Sequence, residues 1–283
     1  MSKLGGYLRL MRPVNCLMMG FAVTVGAALA SPNLSGVFWP NLTYGVITGF
    51  MLTAASMVIN DYYDREIDAI NEPNRPIPSG LIKPKEALAF AFTLTATGFA
   101  TAYLTNTFCF VIATVAWIVS VTYVTVGKRS GLPGNFLVSI CVATPFIYGS
   151  YTVANSLGLN VLIFASMAFL ANTGREITKG IVDVQGDRIN NIQTLAVRYG
   201  EKAAAIAAAF FYLSAVLLSP IPWLSNIVSL WFIPLVALTD FGLAASAFML
   251  LEDFSRENAR KVKRIVLLWF IIGLLAFVIG AVR

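Results

Sequence analysis

Two short acidic segments carry the residue types in this chain that are best suited to chemistry. The first, NDYYDREID, has an amide or a carboxylate at every fourth position and a further acid directly after the amide. These residues are Asn60, Asp61, Asp64 and Asp68. The second, DVQGD, has Asp183 and Asp187 at the same spacing. Because residues four apart share one face of a helix, each segment predicts a row of oxygen ligands.

Rows of like charge need a neutralising partner, because acids four apart destabilise an isolated helix. Magnesium meets this need, since it prefers oxygen ligands and typically joins one or two carboxylates to the phosphates of a substrate. We therefore expect Mg²⁺ as cofactor, with the ligands Asn60, Asp64, Asp68, Asp183 and Asp187. A single Asp at a helix end is often only solvated, but matched positions in two segments favour facing rows that clamp a diphosphate.

Other residue types narrow the chemistry further. Arg175 and Lys179 precede the second row at the same step of four, which predicts a stripe of two cations and two anions that faces inward. The chain contains no histidine, the commonest general base and metal ligand. Cys16, Cys109 and Cys141 lie in apolar stretches without a CxxC pair, which argues against a disulfide framework or a zinc site.

The elements that must position these residues are membrane helices. Of 283 residues, 58% are hydrophobic and only 12% are charged, and the mean hydropathy is +0.76. Such a composition indicates an integral membrane protein. We predict an all-α polytopic fold with nine transmembrane helices, the first of them retained rather than cleaved as a signal peptide. The predicted spans are 13–31, 42–60, 86–104, 107–126, 134–153, 158–178, 203–220, 228–250 and 264–282.

The basic residues predict the orientation of these helices. They cluster at 3–12, 65–85, 128–129, 175–202 and 256–264, and only Arg283 falls on the other side of the predicted membrane. Because basic loops stay in the cytoplasm, the amino terminus and both acidic segments are expected there, in a multi-pass protein of the cell membrane. The net charge of +6 also suits contact with anionic membrane lipids.

The spacing of the acidic segments also suggests internal duplication. Each segment follows an even-numbered span, and the two lie four helices apart. We therefore interpret 1–283 as a single domain with a degenerate four-helix repeat, roughly 13–126 and 134–250, plus a ninth helix.

The quoted motifs resemble those of the UbiA-type intramembrane prenyltransferase superfamily. NDYYDREID is similar to its first aspartate-rich motif and DVQGD to its second, while YVTVGKRSGLPGN resembles its tyrosine and lysine loop. The resemblance implies a prenyl diphosphate donor and the catalytic residues Asp61, Asp64, Asp68, Asp183, Asp187, Tyr123 and Lys128. It also implies the substrate-binding residues Arg12, Asn15, Arg75, Lys128, Arg129, Arg175, Lys179 and Arg188. Tyr62, Tyr63 and Tyr123 adjoin the motifs and are the aromatic side chains expected near a carbocation.

Different segments of this chain resemble different branches of the superfamily. DREIDAINEPNRPIPSG also resembles chlorophyll synthases, whereas NTGREITKGIVDVQGD is more similar to archaeal digeranylgeranylglyceryl phosphate synthases, apart from Gly180, where several relatives have an aspartate. This implies transfer of a geranylgeranyl group to the free hydroxyl of a lipid-like phosphorylated acceptor, geranylgeranylglyceryl phosphate, in membrane ether-lipid synthesis. The alternative within the superfamily is a chlorophyll synthase-like or other enzyme that acts on a cyclic or aromatic acceptor.

An ion-coupled transporter is the alternative from another class, because it too would have many helices, buried acids and a repeat. Transporters bind their substrates near the bilayer midplane, however, whereas these acids lie at the predicted cytoplasmic helix ends. Asp240 alone lies within a span, where we expect an interhelical hydrogen bond. No nucleic-acid partner is expected.

Overall fold

The computed structural model describes residues 2–31, 38–154 and 156–281, and every regular element in those ranges is helical. Arg283 lies outside them. A short 3-10 helix, Gly127–Arg129, precedes α7. The α-helices are α1 Lys3–Met11, α2 Pro13–Ala30, α3 Trp39–Tyr63, α4 Arg65–Asn71, α5 Pro84–Thr105, α6 Thr107–Thr125, α7 Leu132–Val153, α8 Leu159–Ile189, α9 Leu195–Tyr199, α10 Glu201–Leu218, α11 Ile221–Leu224, α12 Phe232–Glu252 and α13 Arg256–Ala281.

Eight helical stretches in the described ranges are long and apolar enough to cross a membrane. They are α2, α3, α5, α6, α7, α12, α13 and the stretch Glu201–Leu224, which joins α10 to α11. The all-α, polytopic class predicted from the sequence is therefore confirmed. The remaining predicted span, 158–178, lies in α8, whose 31 residues extend from this apolar part into the charged second segment. At 1.5 Å per residue, α8 is about 46 Å long, which exceeds the roughly 30 Å of a hydrocarbon core.

Helix α13 begins earlier than hydropathy predicts. The predicted span starts at 264, whereas the helix starts at Arg256. Residues 256–264 are rich in arginine and lysine, which lower hydropathy but are good helix formers. The basic cluster 256–264 therefore forms the first two turns of α13, which places its side chains on defined faces of that helix.

Small residues allow the central helices to approach closely. Gly26 of α2 lies against the backbone of Phe146 in α7, and Gly149 of α7 lies against the backbone of Val23 in α2. A β-carbon at either glycine would overlap the facing helix, which is the close packing that small residues permit between membrane helices. This contact holds α2 beside α7 and so fixes the helix that begins directly after Arg12.

Candidate active site

The first acidic segment crosses the junction between α3 and α4. Helix α3 ends at Tyr63, yet the amide of Asp64 donates to the carbonyl of Asn60 at 2.9 Å, and the amide of Asp68 donates to the carbonyl of Asp64 at 2.7 Å. These bonds keep the step of four residues through the junction. The side-chain amide of Asn60 also donates to Asp64 Oδ2 at 3.0 Å. The predicted row therefore persists although the helix is interrupted.

Two arginines neutralise the buried acids of this segment. Arg12 Nη2 lies 2.6 Å from Asp61 Oδ1, and Arg75 Nη1 lies 2.6 Å from Asp68 Oδ2 and 3.5 Å from Asp61 Oδ1. Asp61 and Asp68 are only 4% and 6% exposed. Charges buried to this degree are stable only when they are paired. Asp61 thus contacts both arginines and helps to hold their guanidinium groups in place.

The backbone places Arg12 for this contact. Arg12 has a left-handed conformation, with φ of 51°, between α1 and α2, and Pro13 starts α2 directly after it. Proline suits the first position of a helix, where its missing N–H is not needed. The neighbouring Asn15 is half-buried, and its backbone amide donates to the carbonyl of Arg12 at 2.9 Å.

Lys128 lies between the two acidic segments. Its Nζ is 2.5 Å from Asp64 Oδ2, and its charge also acts on Asp187. Tyr123, one turn before the 3-10 helix, is close enough for electrostatic interaction with both Asp64 and Asp187. The two segments therefore approach each other across Tyr123 and Lys128, although 115 or more residues separate them in the chain.

A close backbone contact helps to hold the loop of Lys128 against the second segment. The amide of Gln193 donates to the carbonyl of Arg129 at 3.3 Å. Gly131, at a φ of 72°, lies so close to the carbonyl of Gln193 that a β-carbon would overlap it. Glycine is suited to this position because it adopts positive φ at little cost.

The two acids of the second segment have different surroundings. Asp183 is exposed, whereas Asp187 is half-buried beyond the apolar part of α8. Burial, reinforced by repulsion from Asp183, raises the pKa of Asp187 to about 6, although Lys128 and the hydroxyl of Thr194 oppose the shift. Burial also raises the pKa of Asp68, against the effect of Arg75. Below a pH of about 6, a proton therefore competes with any cation for Asp187.

Glu176 is an acidic residue of this region that the sequence patterns do not reveal. It is 7% exposed, and its carboxylate lies 2.7 Å from Lys179 Nζ and 3.5 Å from Arg175 Nη1. Glu176 does not belong to the stripe that runs from Arg175 to Asp187 in steps of four residues. Its spacing of three residues to Lys179 is the one local pattern that suggests an ion pair. Part of the positive charge expected from Arg175 and Lys179 is therefore neutralised locally.

The other predicted residues lie at the edge of this site. Arg129 and Arg188 are exposed. The guanidinium of Arg65 stacks over the ring of Tyr62 at 4.6 Å, and Tyr63 packs edge-on against Tyr62 while remaining 52% exposed.

The donor atoms of the site suit a hard cation. Within the ranges that the structure describes, no three acidic, histidine or cysteine side chains converge into a closed metal cage. Magnesium does not need one, because it usually binds one or two carboxylates together with water and substrate phosphates. Such carboxylates are supplied by Asp64, which contacts Lys128, and by Asp187, on which the charge of Lys128 acts. Asp68 and Asp183 lie four residues from them in the chain. The residues present therefore fit Mg²⁺.

An apolar cavity lies deeper among the helices. It is bordered by α2, α7, α8, α10, α12 and α13, and its lining includes Met18, Phe146, Ala171, Asp240, Phe270 and Phe277. The expected hydrogen bond of Asp240 is present, since Ser219 Oγ donates to Asp240 Oδ2 from the end of α10. The indole Nε1 of Trp269, also in the cavity lining, is buried without a hydrogen-bond partner.

Comparisons with known proteins show what the chain is similar to in sequence and in fold. Residues 19–281 match the model of the UbiA prenyltransferase family. A digeranylgeranylglyceryl phosphate synthase of Methanosarcina mazei is 36% identical over 97% of each chain. A solved structure described as digeranylgeranylglyceryl phosphate synthase superposes with a TM-score of 0.80 at 31% identity, covering 100% of this chain and 99% of the other. A UbiA homolog from Archaeoglobus fulgidus, solved with GPP and Mg²⁺, shares the fold with a TM-score of 0.69 at 19% identity, covering 96% and 99%.

Proposed function

Because this chain belongs to the UbiA prenyltransferase family, we propose that it transfers a geranylgeranyl group from geranylgeranyl diphosphate to the free hydroxyl of geranylgeranylglyceryl phosphate. The observation that carries the proposal is the near-complete match, at 36% identity, to a relative named for the product of this reaction. The facing acidic segments and the cations between them supply the charges that a diphosphate leaving group needs.

Magnesium is the proposed cofactor, held by Asp64 and Asp68 from the first segment and by Asp183 and Asp187 from the second, with the amide oxygen of Asn60 nearby. When bound, Mg²⁺ neutralises the developing negative charge of the departing diphosphate. The support for this assignment is the all-oxygen donor set in a chain without histidine.

The basic residues act as fixed counter-charges. Each of Arg12, Arg75 and Lys128 is held by a carboxylate of the first segment. Their remaining N–H groups bind phosphate oxygens of the donor in this proposal. Asp61 contacts both arginines and so holds their guanidinium groups beside the row of acids.

The transfer itself needs little further chemistry from the protein. The bond between C1 of the prenyl group and the diphosphate oxygen breaks, and the acceptor hydroxyl oxygen forms the new bond to C1. The hydroxyl proton passes to a carboxylate or to the departing diphosphate, so no histidine base is required. The ring of Tyr123, between the two segments, stabilises the allylic cation through its π face.

We further propose that the chain crosses the cell membrane nine times, with its amino terminus in the cytoplasm. In this topology the apolar part of α8, residues 159–178, is the sixth span and the remainder of α8 projects into the cytoplasm. The clustering of basic residues near one set of helix ends supports this orientation, in which the acidic segments lie on the cytoplasmic side.

An acceptor panel tests the reaction. Purified protein with geranylgeranyl diphosphate and Mg²⁺ is offered geranylgeranylglyceryl phosphate, the same ether without its phosphate, or a chlorophyllide. We expect the phosphorylated ether to be prenylated at its hydroxyl and the dephosphorylated ether to react at least about tenfold more slowly, because the lost phosphate contacts are charge-assisted. Equal rates with both ethers, or turnover with chlorophyllide alone, would instead identify the protein as an enzyme of a cyclic or aromatic acceptor.

A further inference from the structure

We propose that Lys263 of α13 forms, together with Arg175 and Lys179 of α8, the subsite that binds the acceptor's phosphate, and that the apolar cavity beneath receives the acceptor's chain. This inference rests on the proposed reaction and adds the site at which its second substrate binds. Lys263 lies outside both acidic segments and their flanking motifs.

The packing of α13 on α8 brings Lys263 to the level of Arg175. Arg256 Nε donates to the carbonyl of Val182 at 2.8 Å. Farther along α13, Phe270 borders the same cavity as Ala171 of α8, so the two helices run antiparallel. Seven residues after Arg256 is Lys263, and seven residues before Val182 is Arg175. Lys263 and Arg175 therefore each lie about 10 Å along their helices from the contact between Arg256 and Val182, and in the same direction.

The charges around Lys263 agree with this placement. Lys263 is half-buried and interacts electrostatically with Asp183, Lys179, Arg175 and Arg260. An ammonium group that is partly removed from water beside other cations is costly unless an anion compensates it. The anions in this group are Glu176, which already contacts Arg175 and Lys179, and the exposed Asp183.

The group also has unused hydrogen-bonding capacity. Arg175 Nε is buried and has no hydrogen-bond partner, although the other end of its guanidinium lies 3.5 Å from Glu176. A buried donor without a partner costs free energy, and a phosphate oxygen supplies a charge-assisted partner. The positive charge and the free donor together indicate that this site binds an anion.

The cations lie on the helix faces that continue into the apolar cavity. Lys263, Phe270, Leu274 and Phe277 follow one another at steps of seven, four and three residues, so they share one face of α13. The last three of these residues line the cavity. On α8, Arg175 shares a face with Ala171 and Ala168, which line the cavity as well.

An amphiphile with a phosphate head and a long apolar chain matches this arrangement. Its phosphate lies at the cations, and its chain extends past Phe270 between α8, α12 and α13. The cations assigned to the donor diphosphate form a separate group, because Arg12, Arg75 and Lys128 lie with Asp61, Asp68 and Asp64. The proposed Mg²⁺ ligand Asp183 lies between the two groups, since its charge also acts on Lys263. The two phosphate-bearing substrates therefore occupy different cationic groups.

The substitution Lys263→Gln tests the subsite in the full-length protein. With saturating geranylgeranyl diphosphate and Mg²⁺, we expect the KM for geranylgeranylglyceryl phosphate to rise about tenfold or more, because a charge-assisted contact is lost. The KM for the donor should remain within about twofold. Lys263→Arg, which keeps the charge, should restore most of the affinity for the acceptor.

Lys261→Gln is the matched control. Lys261 is two residues away on the same helix, its side chain is 64% exposed, and it contacts Glu257 at 3.5 Å. An exposed pair of this kind contributes little, so both KM values should stay within about twofold of the wild type.

The preference for phosphorylated over dephosphorylated ether gives a second readout. Lys263→Gln should reduce the ratio of their kcat/KM values by about tenfold, and a lower yield of folded protein does not change this ratio. If the wild type prenylates the phosphorylated ether but Lys263→Gln behaves like Lys261→Gln, the subsite is refuted and the reaction stands. If the wild type does not prenylate the phosphorylated ether, both proposals fail.

Discussion

Replacement of Asp64 by alanine is expected to lower kcat by about 1000-fold or more while the protein remains folded. Asp64 contributes a carboxylate to the proposed Mg²⁺ site and is the residue that holds Lys128 at 2.5 Å. Its loss removes charge stabilisation of the leaving group from both sources. The side chain of Lys128 is 32% exposed, so water can solvate the ammonium that loses its partner. The measurements are kcat with saturating substrates and the thermal unfolding midpoint in detergent.

Glu66→Ala is the control for this substitution. Glu66 lies two residues farther along the chain, its side chain is 84% exposed, and it contacts Arg65 at 3.2 Å. Its removal should change kcat by no more than about twofold, as is usual for exposed ion pairs. Retention of kcat within about tenfold of the wild type in Asp64→Ala would exclude a central role for this carboxylate in stabilising the leaving group.

Removal of divalent cations is expected to abolish the reaction entirely, and Mg²⁺ should restore it. The proposed ligands are carboxylate and amide oxygens, which bind Mg²⁺ and do not favour soft or borderline metals. A zinc-selective chelator should therefore leave the initial rate unchanged, whereas a general chelator such as EDTA should reduce it to background. The rate of diphosphate release is the quantity to measure, before and after Mg²⁺ is added back.

The opposite pattern of inhibition would contradict the assignment. Loss of activity with the zinc-selective chelator alone would indicate nitrogen or sulfur ligands. The three cysteines make this outcome unexpected, because Cys16 and Cys109 are buried among apolar residues and none of the three lies in either acidic segment.

Local periodicity explains which features the sequence predicts. The step of four residues from Asn60 to Asp68 predicts a row of polar groups, and the backbone preserves that step through the junction after Tyr63. Long apolar stretches likewise predict membrane helices, because both signals depend on residues close together in the chain.

Contacts between distant residues explain what the sequence does not predict. Asp61 and Arg12 are 49 residues apart, and nothing in either local pattern selects them as partners. Glu176 is off the predicted stripe and becomes significant only through its burial. Lys263 belongs to a cluster of five basic residues, and its place beside α8 follows from the contact between Arg256 and Val182 together with the charges around Lys263.

Metal binding shared by the two acidic segments can be measured by spectroscopy. Binding of Mn²⁺, a spectroscopic substitute for Mg²⁺, is titrated by electron paramagnetic resonance in the presence of an unreactive thiolodiphosphate analogue of the donor. The proteins compared are the wild type, Asp64→Asn and Asp187→Asn, in which the amide preserves shape and removes charge. We predict that each substitution weakens Mn²⁺ binding by about tenfold or more, because each removes a ligand from one shared site. Wild-type affinity in Asp187→Asn, with loss only in Asp64→Asn, would contradict the account by assigning the metal to the first segment alone.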